Sequence, residues 1–204
     1  MKRNLLRLPV LLCTVATLGA CSSANHLITD RENNLKKGKE NNAACFIQKK
    51  DGSVQQYNSL RLVTGLFTAP HLLADGNIRI EANEITAYQN ADHYAVAPSK
   101  LENARKSKVA VESLPGFAVR IAKGNLNVYC KKYYNGAKAV DELYVQEGED
   151  GRILPYSDEL FQALLKKNPE AAALFQHKRK PASVLKKMQV VAEVYNKGQL
   201  YSKN

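Results

Sequence analysis

The chain has no tryptophan, two methionines, seven prolines and four cysteines among 204 residues. So few cysteines exclude a small disulfide-stapled scaffold, and so few prolines exclude a proline-rich stalk. Four histidines, none at metal-ligand spacing from another, leave no zinc motif. Gly-x-Ser-x-Gly, His-Glu-x-x-His and a phosphate-binding glycine loop are missing too, so no catalytic set and no cofactor site is expected. The longest apolar run is about sixteen residues, shorter than the roughly 20 that span a bilayer. A mean hydropathy of -0.38 with 24% charged residues excludes a multi-spanning helical membrane protein. The 45% hydrophobic content is enough for one domain with a substantial core.

The N-terminus has the layout of an export signal. Lys2 and Arg3 open it, Leu5 to Ala20 is mostly apolar, and the run closes on Leu18-Gly19-Ala20-Cys21. This ending resembles the lipobox of bacterial lipoproteins at all four positions. The resemblance covers only about twenty residues and carries no activity with it. It implies cleavage before Cys21, acylation of Cys21 and anchoring of the mature chain to a membrane, each buried CH2 contributing about 0.8 kcal/mol. Ser22 follows where an inner-membrane retention signal would place Asp, which implies the outer membrane of a bacterial cell envelope.

Cleavage redistributes the charge. Lys2, Arg3 and Arg7 leave with residues 1–20, so the formal +11 becomes +8. Most of the remainder sits at the C-terminal end, where Lys178, Arg179, Lys180, Lys186, Lys187, Lys197 and Lys203 face only Glu193. Three readings stay open for this tail: a solvated helix, contact with an anionic envelope surface through Lys178, Arg179, Lys180, Lys186 and Lys187, or nucleic acid. An export signal sets nucleic acid aside as a partner.

Cysteine use narrows in the same way. Cys13 goes with the signal and Cys21 takes the lipid, which leaves Cys45 and Cys130 in a compartment that permits disulfides. A bridge between them would close about 85 residues and contribute roughly 4 kcal/mol in the chain-entropy model. Two buried thiols on separate strands are the alternative.

Residues 21–42 read as a polar tether. From 43 to 156, short apolar runs alternate with turn dipeptides, as in an antiparallel sheet. Asp51-Gly52, Asp75-Gly76, Lys123-Gly124 and Asp150-Gly151 each place glycine where a tight hairpin needs positive φ. Asn90-Ala91-Asp92 marks another hairpin, and Val109–Glu112 reads as a further short strand. In Phe117–Ala122, Phe117, Val119 and Ile121 alternate with Ala118 and Arg120, which predicts one apolar face. A shared Asp-Gly-x-[Val/Ile]-x-x-Tyr at Asp51–Tyr57 and Asp150–Tyr156 is weak and reads as convergent hairpin chemistry.

Residues 157–204 switch to helical period. Ser157 is an expected N-cap, and Asn168-Pro169 opens a second helix. A third helix is expected from about Ala182 to Lys197, ending at Gly198. The fold class is mainly β, or α+β: an antiparallel meander or partly closed barrel followed by C-terminal helices.

Ten tyrosines against five phenylalanines suit half-buried strands. Tyr129, Tyr133 and Tyr134 with Lys131 and Lys132 form a candidate ligand-contact set, stacking flat groups and attracting anions; ordinary sheet packing is the alternative. The expectation is a non-enzymatic envelope binding or assembly module whose partner is an anionic surface or another envelope protein. Two other classes stay open. One is a carrier of a small apolar ligand inside a closed sheet. The other is a hydrolase of an envelope polymer using His71 or His93.

Overall fold

The computed structural model describes residues 44–65, 67–107, 109–134, 136–176 and 183–201. The expected signal segment, Cys21, the expected tether, Lys178, Arg179 and Lys180 lie outside the described residues. Eleven strands run in chain order: β1 (Cys45–Lys49), β2 (Val54–Tyr57), β3 (Leu60–Val63), β4 (His71–Ala74), β5 (Ile78–Glu81), β6 (Ile85–Gln89), β7 (Tyr94–Val96), β8 (Ala118–Ala122), β9 (Leu126–Tyr134), β10 (Ala139–Glu147) and β11 (Leu154–Pro155). Three helices follow: α1 (Asp158–Leu165), α2 (Pro169–Gln176) and α3 (Val184–Tyr201).

The strands make two antiparallel sheets. The larger has eight strands in the order β11-β10-β9-β8-β7-β6-β1-β2, and the smaller is β3-β4-β5. From β6 to β11 the larger sheet is a sequential meander. The β1-β2 hairpin adds to it through β1 against β6, and the smaller sheet is the excursion between β2 and β6. The larger sheet does not close: β2 and β11 are its two ends. Of the two architectures expected, the meander is therefore the one adopted.

Strand alternation gives the larger sheet two distinct faces. One register row runs Ile47, Tyr88, Ala95, Val119, Cys130 and Leu143. Towards β1 and β6 this face packs on the smaller sheet, with Ile47, Ile85, Tyr88 and Phe117 against Leu60, Leu72, Ala74 and Ile80. Towards β9 and β10 it packs on the helices, where Val128 and Val145 meet Phe161, Leu165, Phe175, Met188 and Val191. The opposite face carries Ala87, Val96, Ala118, Tyr129 and Tyr144, and is covered by Leu101 and Ile153 from two connecting segments. These two segments touch through a parallel bridge between Leu101 and Ile153.

Local chemistry explains most element ends. The Asp75-Gly76 turn has φ of 48° and 80°, which fits the primed geometry that joins twisted strands. Asn90 Oδ1 accepts from the backbone N–H of Asp92 (2.9 Å) and His93 (2.7 Å), fixing the β6-β7 hairpin. The Ser157 hydroxyl accepts from Leu160 N–H at 3.2 Å, and Asn168 Oδ1 accepts from Ala171 N–H at 3.1 Å, so both expected N-caps are in place.

Three local expectations are corrected, and two features of the strands are not foreseen from the sequence. Val109–Glu112 is not a strand; Val109 and Val111 are exposed and have no ladder partner. Beyond the β10 strand the left-handed residue is Gly148, not Gly151. The two-strand segment Leu60–Val63 and His71–Ala74 escaped the period-two pattern, because three of the four residues in His71–Ala74 are buried. The polar side of β8 is not solvated: the Arg120 side chain is only 8% exposed. Finally, α3 runs through Gly198 instead of stopping there. A Cβ at Gly198 would stand 2.6 Å from Asn168 Nδ2, the same amide that donates to Tyr195 O at 3.3 Å. Gly198 is thus a close-approach position between the α2 N-cap and α3, not a helix stop.

Candidate functional site

The period of two splits the expected ligand set on β9. Tyr129, Lys131 and Tyr133 point to the face opposite the helices; Cys130, Lys132 and Tyr134 point to the helix side. The five residues therefore do not form one platform. Tyr129 is buried within the core of its face. Lys131 is fully buried and donates to Glu142 Oε2 (2.5 Å) and Arg105 O (2.6 Å). Lys132 donates to Glu112 Oε1 at 2.8 Å. Burial alone would lower the Lys132 pKa, but the hydrogen bond and charge of Glu112, with Asp141, hold it raised. Both ammonium groups already have carboxylate partners.

The face that carries Tyr129 holds a connected polar and aromatic network. Arg120 stacks over Tyr94 at 4.3 Å from the ring centroid and pairs with Glu149 at 3.2 Å. The Tyr129 hydroxyl donates to Gln146 Oε1 at 2.7 Å. Gln146 Nε2 donates to the carbonyls of Glu149 (2.9 Å) and Gly151 (2.8 Å), and Asn127 Nδ2 to that of Gly148 (3.1 Å). This network pins the turn after β10 onto the sheet. At the other end of β9, Arg105 donates to the Tyr133 hydroxyl (2.9 Å) and approaches Glu142 (3.6 Å). Arg105 is exposed and Tyr133 half-buried, so on this face the end of β9 forms a rim of guanidinium, phenol and carboxylate that reaches solvent at Arg105.

The electrostatics keep these phenols neutral. Burial pushes the Tyr129 hydroxyl up to about 12, with Arg120 pulling the other way. Burial likewise raises Tyr94, against Arg120. Tyr144 is raised by burial and then by Glu142. The site therefore offers hydroxyl donors, ring faces and a fixed guanidinium. It suits stacking and hydrogen bonding of a flat or polar ligand at its exposed rim.

Cys45 and Cys130 are both free and buried. They lie on β1 and β9, with β6, β7 and β8 between them in the sheet. Four strand spacings of about 4.8 Å far exceed the Cα separation that a disulfide tolerates. The bridge held open from the sequence is therefore not formed, and the alternative of two buried thiols on separate strands is what the sheet order gives. Burial, then the nearby Asp141 carboxylate, pushes the Cys130 thiol up, which makes it unreactive.

The two candidate histidines are on different elements, His71 on β4 of the smaller sheet and His93 in the β6-β7 hairpin turn of the larger. His71 is buried on β4, with Nδ1 2.9 Å from the Ala69 carbonyl. His93 Nε2 lies 3.0 Å from the Tyr88 hydroxyl, and their rings meet edge-on at 5.6 Å. Burial lowers the His93 pKa, while Asp92 and Glu112 oppose this. The partners of the two imidazoles are thus a backbone carbonyl and a phenol. In the basic segment, Lys186 is exposed, whereas Lys187 Nζ sits 4.0 Å above the Phe175 ring. Among the described residues, no three His, Cys, Asp or Glu side chains are placed to hold a metal, and no helix is long and apolar enough to cross a membrane.

Sequence reasoning missed Tyr94, Arg105, Arg120, Glu142, Gln146 and Glu149. The available signal was polar residues at alternate positions on β8 and β10, which read equally well as a solvated face. Only the covering segments, remote in sequence, turn that face into a buried network.

The fold thus defines a mainly antiparallel β protein with three C-terminal helices packed on one face of an open eight-stranded sheet. Comparison of the chain with protein-family profiles, with curated proteins and with solved structures finds no match.

Proposed function

We propose that the protein is a lipoprotein anchored to the outer membrane, where its β-rich domain acts as a non-enzymatic binding or assembly module of the cell envelope. The observation that carries this reading is the Leu18-Gly19-Ala20-Cys21 sequence closing a basic and then apolar N-terminus. The domain's chemistry is compatible with binding. Its phenols are held neutral, its buried thiol is held protonated, and its ordered polar network ends in an exposed rim at Arg105 and Tyr133.

An interior apolar ligand has less support. The sheet is open, and three clusters of side chains fill the space on its two faces. Replacing Cys21 with Ser tests the anchor: the protein should leave the membrane fraction of bacterial cells. Retention of an unprocessed chain in that fraction, still carrying Met1, would overturn the lipoprotein reading.

A further inference from the structure

Two connecting segments meet to form an apolar patch that the sheet network does not use. Residues 64–70 join β3 to β4, and residues 103–111 lie between β7 and β8. Phe67, Pro70, Val109 and Ala110 line one open depression between them. Phe67 is 100% exposed, Val109 51% and Val111 42%. Phe67 is the most exposed large hydrophobic residue among those described, and it shares its depression with Pro70, Val109 and Ala110, so the exposed apolar surface is contiguous, as at interaction sites.

The charges within these two segments have one sign. Residues 64–70 carry no charge. Residues 103–111 contain Arg105, Lys106 and Lys108 and no acid, and Lys106 is exposed. The acids on either side are engaged with the body of the domain: Glu102 pairs with Arg152 at 2.7 Å, and Glu112 with Lys132 at 2.8 Å. Arg105 is engaged with Glu142 and Tyr133. An apolar tip with the exposed Lys106 beside it, and with its flanking acids paired, is complementary to an anionic bilayer surface. A protein hot spot would instead enclose its aromatic anchor in a packed pocket, whereas Phe67 projects from an open depression.

We propose that Phe67 and Val109 form a membrane-contact patch that enters the headgroup boundary of an anionic bilayer, with Lys106 beside its phosphates. The proposal rests on the lipoprotein reading for the presence of the bilayer. Residues 21–42 are long enough to allow it, since 22 residues reach about 75 Å when extended.

The absence of tryptophan makes the test direct. Phe67→Trp gives the full chain a single indole at the patch, and Val54→Trp places one on the exposed edge strand β2 as a control. Each protein is mixed with phosphatidylcholine vesicles, with or without phosphatidylglycerol, that contain brominated acyl chains. The patch indole should shift to the blue, lose acrylamide quenching and gain bromine quenching on the anionic vesicles. The control indole should remain open to acrylamide. Lys106→Gln should weaken binding of a Cys21→Ser chain to anionic vesicles about fivefold, and Phe67→Ser about tenfold.

Because Phe67 is fully exposed, neither change should alter the near-ultraviolet circular dichroism of the folded protein. Vesicle flotation reads the anchor, whereas the indole reads the patch. Protein that floats while its patch indole stays aqueous overturns the patch and leaves the anchor intact. Unacylated protein whose indole still responds to anionic vesicles supports the patch without the anchor. Bromine quenching of both indoles alike, or protection of the patch indole only by added envelope protein, also overturns the proposal.

Discussion

The two faces of the eight-stranded sheet are buried by different chemistry. On the helix side, Val128, Val145 and Leu126 meet Phe161, Leu165 and Phe175, a mainly apolar layer in which Asn196 of α3 accepts from the Leu126 N–H (2.8 Å) and donates to the carbonyls of Leu126 and Lys123. On the other side, Arg120, Lys131, Tyr129, Gln146 and Asn127 are buried with specific partners. The first face tolerates loss of an atom at the cost of a cavity. The second cannot lose a partner without leaving a polar group unsatisfied in a dry place. The comparison teaches that the helices supply bulk stability, while the polar face fixes where the β10-β11 turn and the 97–107 segment lie.

Mutations that sharpen this contrast can be ranked. Phe161 is fully buried and stacks edge-on against Phe175 at 5.1 Å. Phe161→Ala should therefore cost about 4 kcal/mol in urea unfolding, with Phe175→Leu much milder. On the polar face, Lys131→Ala should cost about 3 kcal/mol, because it strips Glu142 of its closest cation. Arg105 remains 3.6 Å from Glu142 and limits the damage. The double change Lys131→Met with Glu142→Gln should recover much of the loss. If Lys131→Met alone were as stable as wild type, the polar face would not differ from the apolar one.

Gln146→Ala should cost about 2 kcal/mol, since it frees the Tyr129 hydroxyl and two backbone carbonyls. It should also raise hydrogen exchange in residues 148–153 specifically, whereas Phe161→Ala should raise exchange in the helices. Equal exchange patterns for the two variants would erase the comparison.

A smaller effect concerns pH. Burial holds the His93 pKa below its unfolded value of about 6.5. The unfolded chain therefore binds the proton first as pH falls. Stability from His93 is fully present above about pH 6.5 and declines as pH drops below it, until the folded imidazole also protonates. His93→Gln should flatten this part of the stability profile between pH 7.5 and 5, read as urea midpoints.

The legibility of the sequence follows the same division. Turn glycines, the Ser157 and Asn168 caps and the apolar faces of the helices are local features, and residues a few positions apart determine them. The buried polar face is not local. Arg120 and Glu149 are 29 residues apart, and Lys131 meets the carbonyl of Arg105 across 26. Alternating polar residues on β8 and β10 look solvated until Leu101 and Ile153 close over them. Cys45 and Cys130 show the same limit, because the compartment expected from the sequence would permit a disulfide that strand order forbids. Gly198 sits where a helix stop is expected, yet serves a helix crossing that only the fold reveals.

The central claim is that this domain works at a membrane to which Cys21 ties it. Intact-mass measurement of the protein extracted from bacterial envelopes tests it most directly. The account predicts a chain lacking residues 1–20 and carrying acyl groups, with fragment ions placing them on Cys21. A mass that includes Met1, or a mature chain with an unmodified Cys21 thiol, would contradict it.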